Sequence, residues 1–290
     1  MTVSALLRLA RPRTLLFPPV GIISAALIAS RVGLEAFPPL EVVVWAGLGG
    51  MLLNAGSNAW NQIWDLEADR INHPDRPLVC GLLSLKQART FALITLGGAT
   101  FLIGRLGGTS WIWLLFLLVS TWSYSCPPLR LRRRWGRAAI VLAMSRGLGV
   151  FCLGWSLVSP VWQSGIEPFW LGGIFVLYVL GTHVTKDLGD LDGDRAVGYQ
   201  TLPVVWGLDR SVRVVAPFFL IPFLGWPLGA WLEVIQLDLE RAFWLAGGLM
   251  ILGLPGVWGL RNPRSRSAWR WMYLHLLVAH LGLCWMYLWG

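Results

Sequence analysis

The stretch Asn58–Gly81, NAWNQIWDLEADRINHPDRPLVCG, follows a long apolar run, and its reading decides that of the chain. Asn61, Asp65 and Asp69 recur every fourth residue, so on a helix they advance only about 40° per step and share one face. Glu67 falls on the opposite side. Acceptor side chains converging at the end of a membrane helix repel one another unless a cation sits among them. Hard oxygen ligands suit Mg²⁺, which is held through one or two carboxylates and completes its shell with substrate phosphates. The competing reading is a solvated helix end with ordinary surface charge.

Composition places the chain in a membrane. Of 290 residues, 56% are hydrophobic and only 13% charged, and nineteen are Trp, the residue of interfacial aromatic belts. The start, MTVSALLRLARPRT, lacks the pattern of a cleaved signal peptide. Cys80, Cys126, Cys152 and Cys284 are scattered, with neither metal-ligand spacing nor a disulfide framework.

Nine apolar stretches reach or approach spanning length: 15–30, 42–64, 91–107, 109–126, 138–158, 169–186, 212–232, 242–260 and 271–289. Arg105 interrupts the third. Alternating the nine from a cytoplasmic N-terminus puts 20 of the 24 Lys and Arg on one side. The positive-inside rule then predicts N-terminus in and C-terminus out. The net charge of +9 belongs to that face and not to a nucleic-acid partner; anionic lipid or an anionic substrate meets it there. No linker separates the helices, so residues 1–290 read as one domain.

A second acidic cluster follows the sixth stretch, in KDLGDLDGD. Asp187, Asp190 and Asp194 stand at i, i+3 and i+7, again one helical face, with Asp192 pointing away if the helix continues past Gly189 and Gly193. Both clusters end even-numbered stretches, which predicts that both lie on the cytoplasmic side. Two facing carboxylate sets with basic groups around them describe a metal-bridged diphosphate site.

These residues carry a resemblance. Asn61-x-x-x-Asp65-x-x-x-Asp69 with Asn72-x-Pro74-x-Arg76-Pro77-Leu78, and Asp190-x-x-x-Asp194 with Gly198-x-x-Thr201-Leu202-Pro203, resemble the two motifs of the UbiA superfamily of intramembrane prenyltransferases. Arg11-Pro12 and Tyr124-Ser125-x-Pro127-Pro128-x-Arg130-Leu131 are further features, so the likeness runs from residue 11 to about 207. It implies an all-α, polytopic fold of nine transmembrane helices around a central, laterally open cavity. It also implies Mg²⁺-dependent transfer of a prenyl group from an allylic polyprenyl diphosphate to a small lipophilic acceptor, with Asp65, Asp69, Asp190 and Asp194 as metal ligands.

The chemistry can also be argued from the residues. Diphosphate leaves readily once its charge is neutralised, and the allylic cation left behind survives only where water is scarce. Asn61, Asp65, Asp69, Asp187, Asp190 and Asp194 are the expected catalytic set, and Trp60, Trp64, Trp122 and Tyr124 are placed to face the cation. Arg146, an intramembrane cation about a turn or two inside the fifth stretch, reads as a group for diphosphate or acceptor, against a structural ion pair. Arg130 or Arg132 reaches phosphate, whereas Arg133 and Arg134 anchor topology. Lys186 reaches phosphate or pairs with Asp190, and His183 orients Asp187, acts as a base or simply packs. Arg11 and Tyr124 complete the expected substrate-binding set.

The form N-x-P-x-RPL resembles homogentisate prenyltransferases, chlorophyll synthases and archaeal glyceryl-ether lipid synthases, and Lys186-Asp187 with Arg146-Gly147 leans to the first. Asp192 stands where many relatives have Glu. A homogentisate-like, quinone-precursor acceptor is therefore expected; a chlorophyllide or glyceryl-phosphate acceptor, or terpene cyclisation without an acceptor, are the alternatives. A cation-coupled transporter is the least supported, because its sites lie near the midplane. A phosphatidyltransferase or aspartyl intramembrane protease lacks its motif here.

Overall fold

The structure, a computed structural model, describes residues 2–33 and 37–289. The expected domain limits at Met1 and Gly290 lie outside the described residues. Among the described residues the fold is all-helical, apart from an isolated bridge pairing Arg134 with Gln200.

A short amphipathic helix α1 (Val3–Ala10), capped by the Thr2 hydroxyl, leads into α2 (Phe17–Gly33). The chain continues through α3 (Leu40–Trp64), α4 (Leu66–Asn72), α5 (Leu85–Gly104) and α6 (Ser110–Ser125). After them come α7 (Trp135–Ala143), a π-helical segment (Met144–Gly149) and α8 (Val150–Ser156), which form one rod. Three helices follow, α9 (Glu167–Thr182), α10 (Val184–Gly189) and α11 (Leu191–Ala196). The last five are α12 (Leu202–Trp206), α13 (Leu208–Val215), α14 (Gly225–Trp231), α15 (Leu239–Gly259) and α16 (Ser267–Trp289).

Among the described residues, seven segments are long and apolar enough to cross a membrane. Helices α5 and α6 occupy the third and fourth expected stretches but fall short of that standard. The first turns of α5 carry Lys86 and Arg89, and α6 has only 16 residues. The segment Leu208–Trp231, which covers the seventh expected stretch, is interrupted by 3₁₀ turns at Pro217 and Pro222, where proline removes a backbone donor.

Helix α2 packs against α3, α8 and α16, while α5 lies along α3 and α15 along α16. Small residues allow these approaches, as membrane helices require. A Cβ at Gly154 would run into the Ile22 carbonyl of α2, so α8 can lie this close only with glycine there. Trp244, Ile251 and Trp258 recur every seventh residue of α15 and are exposed, an outward stripe suited to lipid.

The fifth span begins earlier than expected, at Trp135 rather than 138. Arg146 is therefore its twelfth residue, at mid-span, not a turn or two inside. It lies within the π segment, a distortion that often accompanies function.

Candidate active site

Both acidic motifs sit at a break in a membrane helix. Asp65 separates α3 from α4 with φ −101° and ψ 9°, and Asp190 separates α10 from α11 with φ −104° and ψ 8°. The hydrogen-bond ladder runs through each break, from the Asp65 and Asp69 N–H groups to the carbonyls of Asn61 and Asp65. The second motif repeats this, with Asp190 and Asp194 N–H bonding the carbonyls of Asp187 and Asp190. The shared faces therefore survive. Asp65, Asp69, Asp187, Asp190 and Asp194 are all buried, whereas Glu67 and Asp192 are exposed.

Asn72 joins the two motifs. Its Nδ2 donates to the Asp190 carbonyl (2.8 Å) and its Oδ1 accepts from the Gly193 N–H (2.9 Å). A Cβ on Gly193 would collide with this amide, so the absent side chain is what lets α11 lie against α4.

Cations fill the space between the acids. Arg76 pairs with Asp69, and the buried Arg132 pairs with Asp65 while lying 3.7 Å from Asp194. Asp190 meets Arg266 at 2.9 Å, His73 at 3.1 Å and Lys186 at 3.5 Å. A carboxylate only accepts, so His73 donates from Nε2 and its Nδ1 accepts from Arg266 (3.1 Å). That is a neutral ring, and burial pushes its pKa down accordingly. Burial alone would raise Asp190, but the His73 hydrogen bond, Lys186 and Arg266 outweigh it and hold the carboxyl well below the usual range. Burial raises Asp194, whose two oxygens have no hydrogen-bond partner.

Among the described residues, no three acidic, His or Cys side chains gather at one point as a ready metal cage. The donor set nevertheless fits a hard divalent ion. All four expected ligands offer carboxylate oxygens, those of Asp194 lack partners, and arginines supply the countercharge.

A cavity opens beside the cluster, between α2, α3, α6, the α7–α8 rod, His183 with α10, and α16. Of the expected residues, Asn61, Asp187, Arg11, Tyr124, Arg146 and Lys186 line it. Asp65, Asp69, Asp190, Asp194, Arg130 and Arg132 are not part of its wall. Arg11, in a left-handed backbone conformation (φ 56°), approaches Asn61 Oδ1 at 3.5 Å. Arg130 is held by the Trp64 carbonyl (2.5 Å) and the Tyr199 hydroxyl (3.0 Å). Arg146 donates to the Tyr273 hydroxyl (2.9 Å) and has no carboxylate within 4 Å among the described residues.

The expected aromatic wall is corrected. Trp60 bonds Cys126 Sγ (2.7 Å), Trp122 is exposed, and neither these nor Trp64 line the cavity. Phe17, Tyr124, Trp269 and Tyr273 do. Sequence reasoning also assigned no role to His73, Arg76, Tyr199, Arg266 or Tyr273. Arg266 looks like any topology-setting arginine of a cytoplasmic loop, and only its position 2.9 Å from Asp190 distinguishes it.

Comparison with known proteins places this geometry. The profile of the UbiA prenyltransferase family matches residues 20–281. The chain belongs to that family. This prenyltransferase is 28% identical over 303 residues to homogentisate phytyltransferase of Synechocystis sp., covering 97% of this chain and 96% of the relative. It is 29% identical to digeranylgeranylglyceryl phosphate synthase of Methanopyrus kandleri, covering 86% and 89%. A solved UbiA homolog from Archaeoglobus fulgidus bound to DMAPP and Mg²⁺ shares its fold, with TM-score 0.70, 16% identity and coverage of 96% and 98%.

Proposed function

We propose that this prenyltransferase moves a prenyl group from an allylic polyprenyl diphosphate to an aromatic, homogentisate-like acceptor in a Mg²⁺-dependent reaction. The observation that carries this reading is the joining of two buried acid faces by Asn72 beside a cavity walled by Arg146, Tyr124 and Tyr273.

Asp65, Asp69, Asp190 and Asp194 are the residues to hold the metal, which supplies Lewis-acid neutralisation of the leaving diphosphate. Arg11 and Lys186 on the cavity wall, with Arg130 and Arg132 beside the first acidic motif, bring positive charge, the sign diphosphate requires. Asn61 and Asp187 line the cavity and orient the donor head. Apolar Leu53, Leu117 and Leu276 keep water from the allylic cation, and the faces of Tyr124 and Tyr273 attract it by ~0.5–2 kcal/mol each.

Helices α5 and α6 complete nine spans around a laterally open cavity, and residues 1–290 form one such domain. The decisive assay incubates purified protein with Mg²⁺, C15 and longer prenyl diphosphates, and homogentisate, chlorophyllide or geranylgeranylglyceryl phosphate. Prenylated homogentisate is expected. Product only with either other acceptor would reassign the acceptor, and a cyclic terpene without acceptor would replace transfer by cyclisation.

The N-terminus and acid clusters are assigned to the cytoplasmic face, supported by the 20 of 24 basic residues on that side. Cys80 is exposed beside the first motif, whereas Cys126, Cys152 and Cys284 are buried. A membrane-impermeant thiol reagent is expected to label Cys80 in inside-out vesicles and not in intact cells. The reverse pattern overturns the orientation.

A further inference from the structure

The groups assigned above bind the donor and neutralise its leaving group, but none has been given the proton that the acceptor must lose. His183 lines the cavity and is 5% exposed. Its Nδ1 lies 3.1 Å from the Val179 carbonyl and 3.0 Å from the Leu180 carbonyl. Carbonyl oxygens only accept, so Nδ1 carries the proton and, in the neutral ring, Nε2 carries the lone pair. Bonding Nδ1 back to its own helix turns Nε2 away from that helix. Nε2 is buried and has no hydrogen-bond partner among the described residues. A lone pair left unsatisfied inside a protein costs about 1–3 kcal/mol, so a ring held in this way calls for a partner that the protein does not supply.

Position along the helix indicates which partner. His183 precedes Asp187 by four residues, about 6 Å further into the membrane. The allylic carbon is bonded to the diphosphate, so with the head at the acid cluster it lies on the inward side of that cluster, the side on which His183 stands, and the attacking acceptor atom lies there too.

We propose that His183 Nε2 is the proton acceptor of the transfer, an assignment that rests on the function proposed above. The allylic C–O bond breaks and its electron pair leaves with the diphosphate. A carbon or oxygen of the acceptor forms the new bond to the allylic carbon. The proton displaced from that acceptor atom passes to Nε2, and the imidazolium returns it to the diphosphate product or to water. Asp187 lines the same cavity but is one turn nearer the acid cluster along the chain, whereas His183 offers a fixed, unpaired lone pair.

The test uses full-length protein in detergent with Mg²⁺, geranylgeranyl diphosphate and homogentisate, and measures prenylated product and acceptor-independent diphosphate release. His183→Asn keeps a donor for the helix carbonyls and removes the base; His183→Gln keeps a polar group near Nε2 without its basicity. In both variants the ratio of transfer to diphosphate release is expected to fall roughly 10²-fold or more, through kcat rather than the acceptor KM. The loss should shrink with phenolic acceptors of lower pKa, a trend a purely structural role would not give. An unchanged ratio, or transfer and release falling in proportion, overturns the assignment. Wild-type protein that releases diphosphate and prenylates no acceptor overturns the function and the assignment together.

Discussion

Asp65→Ala and Asp190→Ala are each expected to cut prenyl transfer at least roughly 10²-fold, the scale on which preorganised charge stabilisation is lost, in protein that keeps its helical content. Each carboxylate sits at a helix break and is buried among cations. The two come from different helices, so neither replaces the other in a near-octahedral shell. Glu67→Gln and Asp192→Asn should change turnover less than about threefold. Glu67 is exposed, and Asp192 meets only Arg264 at 3.7 Å, a surface pair worth little. Rates are read from product formation, and helical content from circular dichroism. Full turnover in excess chelator, or equal losses in all four variants, would falsify the assignment of these acids.

Arg132→Ala should give the second large effect, on stability. Arg132 is 5% exposed and is the cation shared by Asp65 and Asp194. Removing one partner of a buried ion pair costs about 3–5 kcal/mol, because the other charge remains without compensation. A divalent ion held by the same carboxylates restores that compensation. The thermal midpoint of the variant without metal should therefore fall well below that of the wild type, and added Mg²⁺ should raise it by more than it raises the wild type. Saturation at one hundred times Kd adds ~2.7 kcal/mol, a shift easily resolved. Equal Mg²⁺ shifts in the two proteins would mean that Arg132 and the metal do not share a site.

Much of the site was legible along the chain because helical phase is local. The four-residue spacing of Asn61, Asp65 and Asp69 puts them on one face whatever the rest of the fold does, and the observed burial of Asp65 and Asp69 against exposed Glu67 follows from it. The break at Asp65 was not legible, whereas Gly189 and Gly193 left the helix around Asp190 open to interruption. Neither residue is a helix breaker by type, and the ladder continues through both. The aromatic wall was misread for a related reason. Trp60, Trp64 and Trp122 have the right depth, but only neighbouring helices decide which side of a span faces a cavity and which faces lipid.

What the sequence by itself determined is everything that a single helix or the bilayer imposes. A membrane protein follows from apolar runs that no aqueous fold would expose, and the phase of each acidic face follows from 3.6 residues per turn. What only the tertiary structure decided is which cation answers which acid. Arg266 reaches Asp190 across 76 residues, and Asn72 ties α4 to α11 across 118 and 121. Such partners are chosen by packing, and an arginine in a basic loop carries no local mark of it. His183 shows the same division. Its place one turn before Asp187 could be read from the chain, but the lone pair at Nε2 follows only from two carbonyls that accept from Nδ1 and from a wall that offers Nε2 nothing.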